Sequence, residues 1–268
     1  MNKNIIAFDI GGTKIRGIVW DETLSVSNSH AKRGGKKTAA ELKLLTPKTL
    51  AEFKTTLKEM VLYLAQTGKT QKVGIAVAGI VDRKKGAVVY SPNLRIIDGF
   101  NFTSFFKKLG FASVKVENDA NCFALAEVRL GQGRGLKNFV GLTLGTGLGG
   151  GLISRGELYT GTHGSAGEPG HMMADEKFTY EQKFQILKAR NDWKNLGRVL
   201  GRLVADIINL LDVEAVVVGG SIARKFGSKI IPAAKVEAKR HLLNKAITPK
   251  ILVSKLKHAG AVGAVFLF

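Results

Sequence analysis

Two short glycine-rich segments combine residue types that can hold phosphate. The first, Asp9-Ile10-Gly11-Gly12-Thr13-Lys14, lies between two apolar stretches that predict strands. Glycines let backbone N–H groups approach an anion without a Cβ in the way, while Thr13 adds a hydroxyl donor and Lys14 a positive charge. Asp9 supplies a carboxylate that could hold Mg²⁺ directly or through water. An ordinary hairpin turn is the alternative interpretation of this segment.

The second segment, Leu144–Gly151, has the sequence LGTGLGGG. Gly145, Gly147 and Gly150 match the spacing G-x-G-x-x-G, but the residues that follow, GLISRGELY, predict a strand instead of the helix that a dinucleotide-binding loop requires. We therefore expect a strand–loop–strand that holds phosphate through its backbone, with Thr146 as a hydroxyl donor.

A third glycine pair, Gly219-Gly220, connects the predicted strand Val213–Val218 to a helix. Such a turn can accept an adenine ring or a ribose against its backbone. A purely structural turn is the alternative.

Asp119 lies where a predicted strand leads into a helix. We expect the helix dipole to keep this carboxylate ionised, which would suit the acceptor of a hydroxyl proton in phosphoryl transfer. A capping role at the helix start is the alternative, because Asn and Asp are common there.

The polar loop Gly161–His171 carries Glu168 and His171, which could both hydrogen-bond a polyhydroxy ligand. A surface loop without a ligand is the alternative. No cysteine lies nearby, so we do not expect zinc at this loop.

Strands alternate with helices along the chain, which predicts the α/β class. Two βββαβα-like halves each open with strand, glycine turn and strand, as an internal structural repeat does. The predicted strands are Ile5–Asp9, Ile15–Trp20, Lys72–Gly79, Val114–Glu117, Asn138–Leu144, Gly151–Ser154, Val213–Val218 and Lys250–Val253. The predicted helices are Thr46–Gln66 with Pro47 in its first turn, Phe102–Leu109, Asp119–Leu130 ended by Gly131, Trp193–Leu211, a helix after Gly220, Lys229–Leu243 and His258–Leu267.

Composition narrows the class of protein. The 268 residues are 45% hydrophobic and 23% charged, which is typical of a globular chain with one large or two small domains. No apolar run approaches the ~20 residues of a membrane span, and the first residues lack a signal-peptide pattern. Cys122 is the single cysteine, so an intramolecular disulfide is excluded and a cytoplasmic setting is expected.

The formal charge of +20 has two interpretations. A polyanionic partner such as nucleic acid, nucleotide or polyphosphate would explain it. A solvated, lysine-rich surface would explain it equally, since basic residues occur on every predicted helix. They cluster only slightly, at Lys32–Lys37 and Arg83-Lys84-Lys85.

In their order along nearly the whole chain, these motifs resemble those of the ROK sugar kinases, within the actin/hexokinase-like superfamily. The matching segments are Asp9–Lys14 and Leu144–Gly151 for two phosphate motifs, Val217–Ser221 for the adenosine motif, Asn118-Asp119-Ala120 for the catalytic motif, Gly164–His171 for the GxAGExGH signature and Ser91-Pro92-Asn93 for a sugar contact. The resemblance implies a duplicated, ribonuclease H-like fold with a cleft between two domains. Their expected bounds are residues 1–116 with 254–268, and residues 117–253.

The resemblance also implies an ATP- and Mg²⁺-dependent hexose kinase of the glucokinase type, cytoplasmic, homodimeric and active in glycolysis. Asp119 would be the general base toward the sugar hydroxyl, usually at C6, and Asp9 would serve Mg²⁺. Sugar hydroxyls would be bound by Asn93, Asn118, Glu168, His171 and, by a looser match, Glu181. Phosphates and nucleotide would be bound by Gly11, Gly12, Thr13, Lys14, Gly145, Thr146, Gly147, Gly219 and Gly220.

The chain also departs from the family pattern. Many members have a three-cysteine zinc motif after the signature histidine, but Met172–Phe184 contains no cysteine, so no zinc is expected and sugar identity stays open. Pro169 replaces the usual aliphatic residue.

Two alternatives to an ATP-dependent kinase follow. Polyphosphate glucokinases also lack the cysteines, resemble this chain at Asn191-Asp192-Trp193, and would suit its charge. A non-catalytic sugar- or nucleic-acid-binding regulator is the other alternative. We expect no helix-turn-helix module, because only eight residues precede Asp9, and so consider a nucleic-acid partner unlikely.

Overall fold

The computed structural model describes residues 4–21, 38–66 and 70–268. The chain divides into two compact units, Met1–Cys122 with His258–Phe268 and Phe123–Lys257. Each unit contains a five-stranded mixed sheet with helices, so the predicted α/β class is confirmed. The finer domain bounds expected from the sequence stay a prediction, and the basic cluster Lys32–Lys37 lies outside the described residues.

The first unit is built on a sheet with the strand order β3-β2-β1-β4-β7. Strands β1, β4 and β7 are parallel, so their carboxyl ends meet at one edge of the sheet. The elements are β1 (Asn4–Ile10), β2 (Lys14–Asp21), β3 (Thr38–Leu45), α1 (Leu50–Ala65), β4 (Lys72–Val77), β5 (Ile80–Asp82), β6 (Ala87–Tyr90), a 3₁₀ turn (Arg95–Ile97), α2 (Phe102–Lys108), β7 (Ser113–Asn118) and the start of α3 (Asp119–Leu130).

A late helix, α7 (Ala259–Val265), completes this unit. Gly74 in β4 has no room for a side chain, because a Cβ there would overlap the Ala264 carbonyl group of α7. Gly263 is in the same position against the Cys122 carbonyl group of α3. These two glycines let the backbone of α7 come into direct contact with the sheet and with α3.

The second unit is built on a sheet with the order β10-β9-β8-β11-β12. Its elements are the rest of α3, β8 (Phe139–Leu144), β9 (Leu148–Ser154), β10 (Glu157–Tyr159), a 3₁₀ turn (Pro169–His171), α4 (Tyr180–Ala189), α5 (Trp193–Leu211), β11 (Ala215–Gly219), α6 (Gly220–His241) and β12 (Ile251–Val253). Helices α5 and α6 pack closely, because Gly197 and Gly201 face the carbonyl groups of Ile230 and Ala234.

Several predicted boundaries are wrong for identifiable reasons. Helix α1 begins at Leu50, because the Thr49 side chain caps it by accepting from the Glu52 N–H; Pro47 therefore precedes the helix. Strand β9 begins at Leu148 instead of Gly151, since Gly149–Gly151 pair with β8 and the turn shrinks to three residues.

Helix α3 ends at Leu130 as predicted, but Gly131 does not end it in the expected conformation, and one predicted helix is not separate. Gly131 does not adopt the left-handed conformation of a helix-ending glycine. Instead, the Glu127 carboxylate folds over the end of α3 and accepts the Gln132 N–H at 2.7 Å, which leaves no space for a Cβ at Gly131. The segment predicted as a separate helix from Lys229 belongs to one continuous helix, α6, which contains Pro232.

No helix in residues 4–21, 38–66 and 70–268 combines the length and apolar character that a bilayer crossing requires.

Candidate functional site

Two carboxylates lie at the same edge of the first unit's sheet. Asp9 is the second-to-last residue of β1. Asp119 directly follows β7, the parallel strand on the other side of β4. The pKa of Asp9 is raised to about 7: burial is the largest cause, the charge of Asp119 adds to the rise, and Arg16 opposes it. The sequence patterns alone did not show that these two acids share one environment.

Burial also raises the pKa of Asp119, although the Ala120 N–H, which donates to its Oδ1 at 2.9 Å, opposes the shift. The sequence led us to expect that the helix dipole keeps this group ionised, whereas the largest cause of its pKa shift is burial, which favours the protonated form. A raised pKa makes a carboxylate a better proton acceptor, and the role of Asp119 as a general base stays a prediction.

Asn118 performs the capping role that was the alternative for Asp119. Its Oδ1 accepts the N–H groups of Ala120 at 2.8 Å and Asn121 at 3.1 Å, and its Nδ2 donates to the Gly79 carbonyl at 3.0 Å. Asn118 thus ties the start of α3 to the end of β4. Its sugar contact stays a prediction.

Glu117 supports the same segment from inside. Its carboxylate pairs with both Nε and Nη2 of Arg83, and its Oε1 also accepts the Asn118 N–H at 2.7 Å and Asn121 Nδ2 at 3.0 Å. The Glu117 side chain is 4% exposed, so Arg83 supplies the charge that makes its burial tolerable.

The first glycine turn is held at both of its sides. Gly11 N–H donates to the Lys14 carbonyl at 3.0 Å, and Thr46 Oγ1 donates to the Gly11 carbonyl at 2.6 Å. Gly12 faces the Asn93 backbone, where a Cβ would overlap the carbonyl oxygen. The structure therefore brings the predicted Asn93 to this turn, with Thr13 and Lys14 exposed to solvent.

The start of α7 borders Asp9, which sequence reasoning missed. A Cβ at Gly260 would lie 2.8 Å from the Asp9 Cγ. A glycine at this position therefore gives the carboxylate its space, and no local motif around Gly260 indicated it.

The second glycine turn, Gly145–Gly147, closes the β8–β9 hairpin with a hydrogen bond from Gly145 N–H to the Gly147 carbonyl at 2.9 Å. Helix α4 packs behind it. Glu181 Oε2 accepts the Leu148 N–H at 2.6 Å, and its Oε1 accepts Gln185 Nε2 at 2.6 Å. Glu181, a loosely matched sugar contact, is thus already bound to the turn.

Glu168 and His171 flank the 3₁₀ turn, where His171 N–H donates to the Glu168 carbonyl at 3.1 Å. Both side chains are exposed. Gly170 is fixed against β9, because a Cβ there would lie 2.5 Å from the Leu148 carbonyl oxygen. The two side chains are therefore presented by a turn that leans on the same strand as the glycine hairpin.

Gly219 and Gly220 are both required by packing. A Cβ at Gly219 would overlap the Phe123 ring, and Gly220 adopts φ 93° against the Leu144 backbone. Structural need alone accounts for these glycines, so their nucleotide contact stays a prediction.

The model of the ROK family matches residues 5–183 and 181–268. The chain belongs to the ROK family. The resemblance stated from the motifs is thereby confirmed.

The relatives of this ROK chain include sugar kinases. The beta-glucoside kinase of Listeria monocytogenes is 27% identical over 98% of this chain and 97% of its own length. The crystal structure of a ROK family glucokinase from Streptomyces griseus, in complex with glucose and AMPPNP, is 26% identical, with a TM-score of 0.81 over 98% of both chains. An inorganic polyphosphate/ATP-glucomannokinase from Arthrobacter is 25% identical, with a TM-score of 0.76 over 99% of this chain and 98% of that one. This similarity confirms the expected actin/hexokinase-like fold and the expected enzyme class, a ROK-type sugar kinase.

Proposed function

We propose that this ROK protein is an ATP- and Mg²⁺-dependent hexose kinase that transfers the γ-phosphoryl group to a sugar hydroxyl, with glucose C6 as the first acceptor to test. The observation that carries the proposal is the pair of half-buried carboxylates, Asp9 and Asp119, at the carboxyl edge of one sheet. A kinase needs one carboxylate for the metal and one for the acceptor hydroxyl.

In this proposal Asp119 accepts the hydroxyl proton as the oxygen attacks the phosphorus. Its raised pKa and its fixed place, set by the Asn118 cap and the Glu117–Arg83 pair, support that role. The remaining assignments stand as part of the proposal, with Asn93, Asn118, Glu168, His171 and Glu181 toward the sugar and Gly11–Lys14, Gly145–Gly147 and Gly219-Gly220 toward the nucleotide.

The residues present fit a magnesium ion. Asp9 has a pKa raised by burial and by the like charge of Asp119, a situation that a bound divalent cation would relieve. The described residues contain no group of three His, Cys, Asp or Glu side chains, and Mg²⁺ commonly uses one or two carboxylates with waters and substrate phosphates instead. When bound, the ion would neutralise charge developing on the transferred phosphoryl group.

The test is a matrix of sugars against phosphoryl donors. Glucose, mannose, fructose and N-acetylated amino sugars are each supplied with ATP or polyphosphate, and phosphorylated sugar is measured directly. We expect ATP-driven turnover with at least one hexose. Absence of turnover in every combination, under conditions where a control kinase works, would overturn the proposal and favour a non-catalytic binding protein.

Polyphosphate is the second candidate donor, and a specific surface favours it. A groove of about 640 Å³ between α5 and α6 is lined by four cations, Lys194, Arg198, Lys229 and Arg240, which outnumber its two carboxylates, Asp192 and Glu237. Of these cations, Arg240 pairs with Glu237 at 3.3 Å. If this groove guides a polyanion, polyphosphate-driven turnover should fall steeply as salt rises. Arg198→Glu should lower polyphosphate-driven turnover and leave ATP-driven turnover unchanged; equal effects on both would exclude the groove.

The expected cytoplasmic location, the homodimer, the role in glycolysis and the domain bounds belong to this proposal. The expected lack of a zinc site also stays a prediction.

A further inference from the structure

The Thr146 carbonyl, at the tip of the second glycine turn, accepts two side-chain hydrogen bonds from α4. Gln185 Nε2 and Lys188 Nζ each donate to it at 2.6 Å. A carbonyl oxygen has two lone pairs, so these two donors fill its capacity. Thr146 itself is exposed, and an exposed carbonyl would otherwise be satisfied by water.

These bonds fix the direction of the next N–H group. The Thr146–Gly147 peptide is trans and planar, because residues 4–21, 38–66 and 70–268 contain no cis peptide bond. In a trans peptide the C=O and the N–H point in opposite directions. Because α4 holds the Thr146 oxygen, the Gly147 N–H must point away from α4.

The two side chains are themselves held in place. Gln185 Nε2 also donates to Glu181 Oε1 at 2.6 Å, while Glu181 Oε2 accepts the Leu148 N–H. The Lys188 ammonium lies 4.9 Å from the centroid of the Phe184 ring, and its loss of solvent lowers its pKa. Helix α4 therefore binds the hairpin at two backbone groups, the Thr146 carbonyl and the Leu148 N–H. The Lys188 cation also polarises the peptide group whose carbonyl it binds.

A flip of this peptide would be strongly opposed. It would turn the carbonyl toward the outer side of the turn and leave the Lys188 and Gln185 donors without this acceptor. An anion would then meet a carbonyl oxygen instead of an N–H. Gly147 tolerates the change in its φ angle that such a flip requires, since glycine adopts both halves of the backbone map.

We propose that Gln185 and Lys188 are positioning residues that hold the Thr146–Gly147 peptide with its N–H directed at the phosphates of the donor. The inference rests on the proposed function, since it takes the Gly145–Gly147 turn as the phosphate-binding element. It adds two residues that lie outside all of the motifs discussed above.

The experiment compares Lys188→Met and Gln185→Leu with Lys183→Met. Lys183 is on the same helix, but its ammonium pairs with Asp175 at 2.6 Å and does not bind the turn. ATP affinity is measured by calorimetry without sugar, and KM for ATP and for sugar are measured by turnover. Thermal melts report whether each variant folds, and Gln185→Leu keeps the proposal testable if Lys188→Met does not fold.

We expect each variant at positions 185 and 188 to weaken ATP binding and raise KM for ATP by about tenfold, the effect of losing a hydrogen bond of this kind. KM for the sugar should stay within about twofold, and Lys188→Arg, which restores a cationic donor, should recover most of the loss. Lys183→Met should match the wild type. Unchanged ATP affinity in folded Lys188→Met and Gln185→Leu, or equal rises in both KM values, would overturn the inference.

Failure of this inference and failure of the proposed function are distinguishable. If the wild type turns over sugar and the two variants match it, the inference falls and the function stands. If the wild type phosphorylates no sugar but binds ATP in a manner that Lys188→Met weakens, the function falls and the positioning role stands. If the wild type does not bind ATP at all, both fall.

Discussion

Glu117 lies two residues before Asp119, and the Arg83 guanidinium binds both oxygens of its carboxylate. The same carboxylate accepts the Asn118 N–H, so the ion pair, the end of β7 and the start of α3 form one connected unit. Arg83 comes from the short β5–β6 hairpin, whose only evident sequence signal was a basic run. A surface charge in the sequence is thus half of a buried pair in the fold.

We predict that Arg83→Met lowers the free energy of unfolding by roughly 3 kcal/mol, because Glu117 is left charged and buried without its partner. The matched control is Arg95→Met. Arg95 also pairs with an aspartate, Asp98, but its side chain is 65% exposed, so we expect little or no loss of stability. Urea unfolding of both variants makes the comparison, and similar losses in the two would show that burial of Glu117 does not matter.

Asp119→Asn should remove the proton acceptor while keeping the size of the side chain. If Asp119 is the general base, kcat should fall by about 10²–10⁴-fold, the usual contribution of such a group. ATP affinity should change little, because the phosphate turns are untouched. Steady-state kinetics and nucleotide calorimetry measure the two effects, and a variant that keeps its rate would refute the assignment.

Gly263→Ala and Gly227→Ala each add one methyl group to a helix. We expect the first to lower the free energy of unfolding and the second to raise it. At Gly263 the methyl group would overlap the Cys122 carbonyl group, so α7 must shift, and we expect a loss of about 2 kcal/mol. At Gly227 in α6 nothing lies within 4 Å, so the better helix propensity of alanine should stabilise the protein by up to about 1 kcal/mol. Thermal melts test the signs, and destabilisation by both variants would contradict the packing of Gly227.

Glu127→Gln should change how stability depends on pH. Burial raises the pKa of Glu127 above its ordinary value of 4.5, while hydrogen bonds from Ser254 and the Gln132 backbone oppose the shift. Above pH 4.5 the folded state keeps a proton that the unfolded state has lost, so this group lowers stability as pH rises toward its folded pKa.

Relative to the wild type, Glu127→Gln should therefore gain stability as the pH rises from 4.5 through the raised folded-state pKa of Glu127. The amide can donate to Ser254 and accept from the Gln132 N–H, so both contacts survive. Glu157→Gln, on an exposed side chain, is the control and should show no such trend. A stability difference that is flat with pH would mean that the Glu127 charge is not penalised.

Elements with strong periodicity or a continuous apolar run were predictable, and α5 was predicted at its observed bounds, Trp193–Leu211. Strand β3 was missed because TAAELKLL alternates only weakly and lies at the sheet edge with little burial. Helix α4 was missed although a signal existed, since Thr179 and Gln182 form a capping box. Local patterns identify buried elements best, because a buried face requires apolar residues at the regular spacing of the helix or strand.

The candidate site was predictable where a motif is local and unpredictable where contacts are long-range. Asp119 and both glycine turns carry their signal within a few residues. The neighbourhood of Asp9 and Gly260, the Arg83–Glu117 pair and the grip of α4 on Thr146 join residues 34 to 251 positions apart, and no spacing rule reports such contacts.

The first unit needs helix α7, whose residues follow the entire second unit in the chain. During synthesis on the ribosome, Phe123–Lys257 has therefore emerged before the segment that covers Gly74 and borders Asp9 exists. The second unit can fold as it is made, whereas the first must wait until the residues of α7 have been made. We expect a nascent chain halted before His258 to have a protease-resistant second unit and an unprotected first sheet.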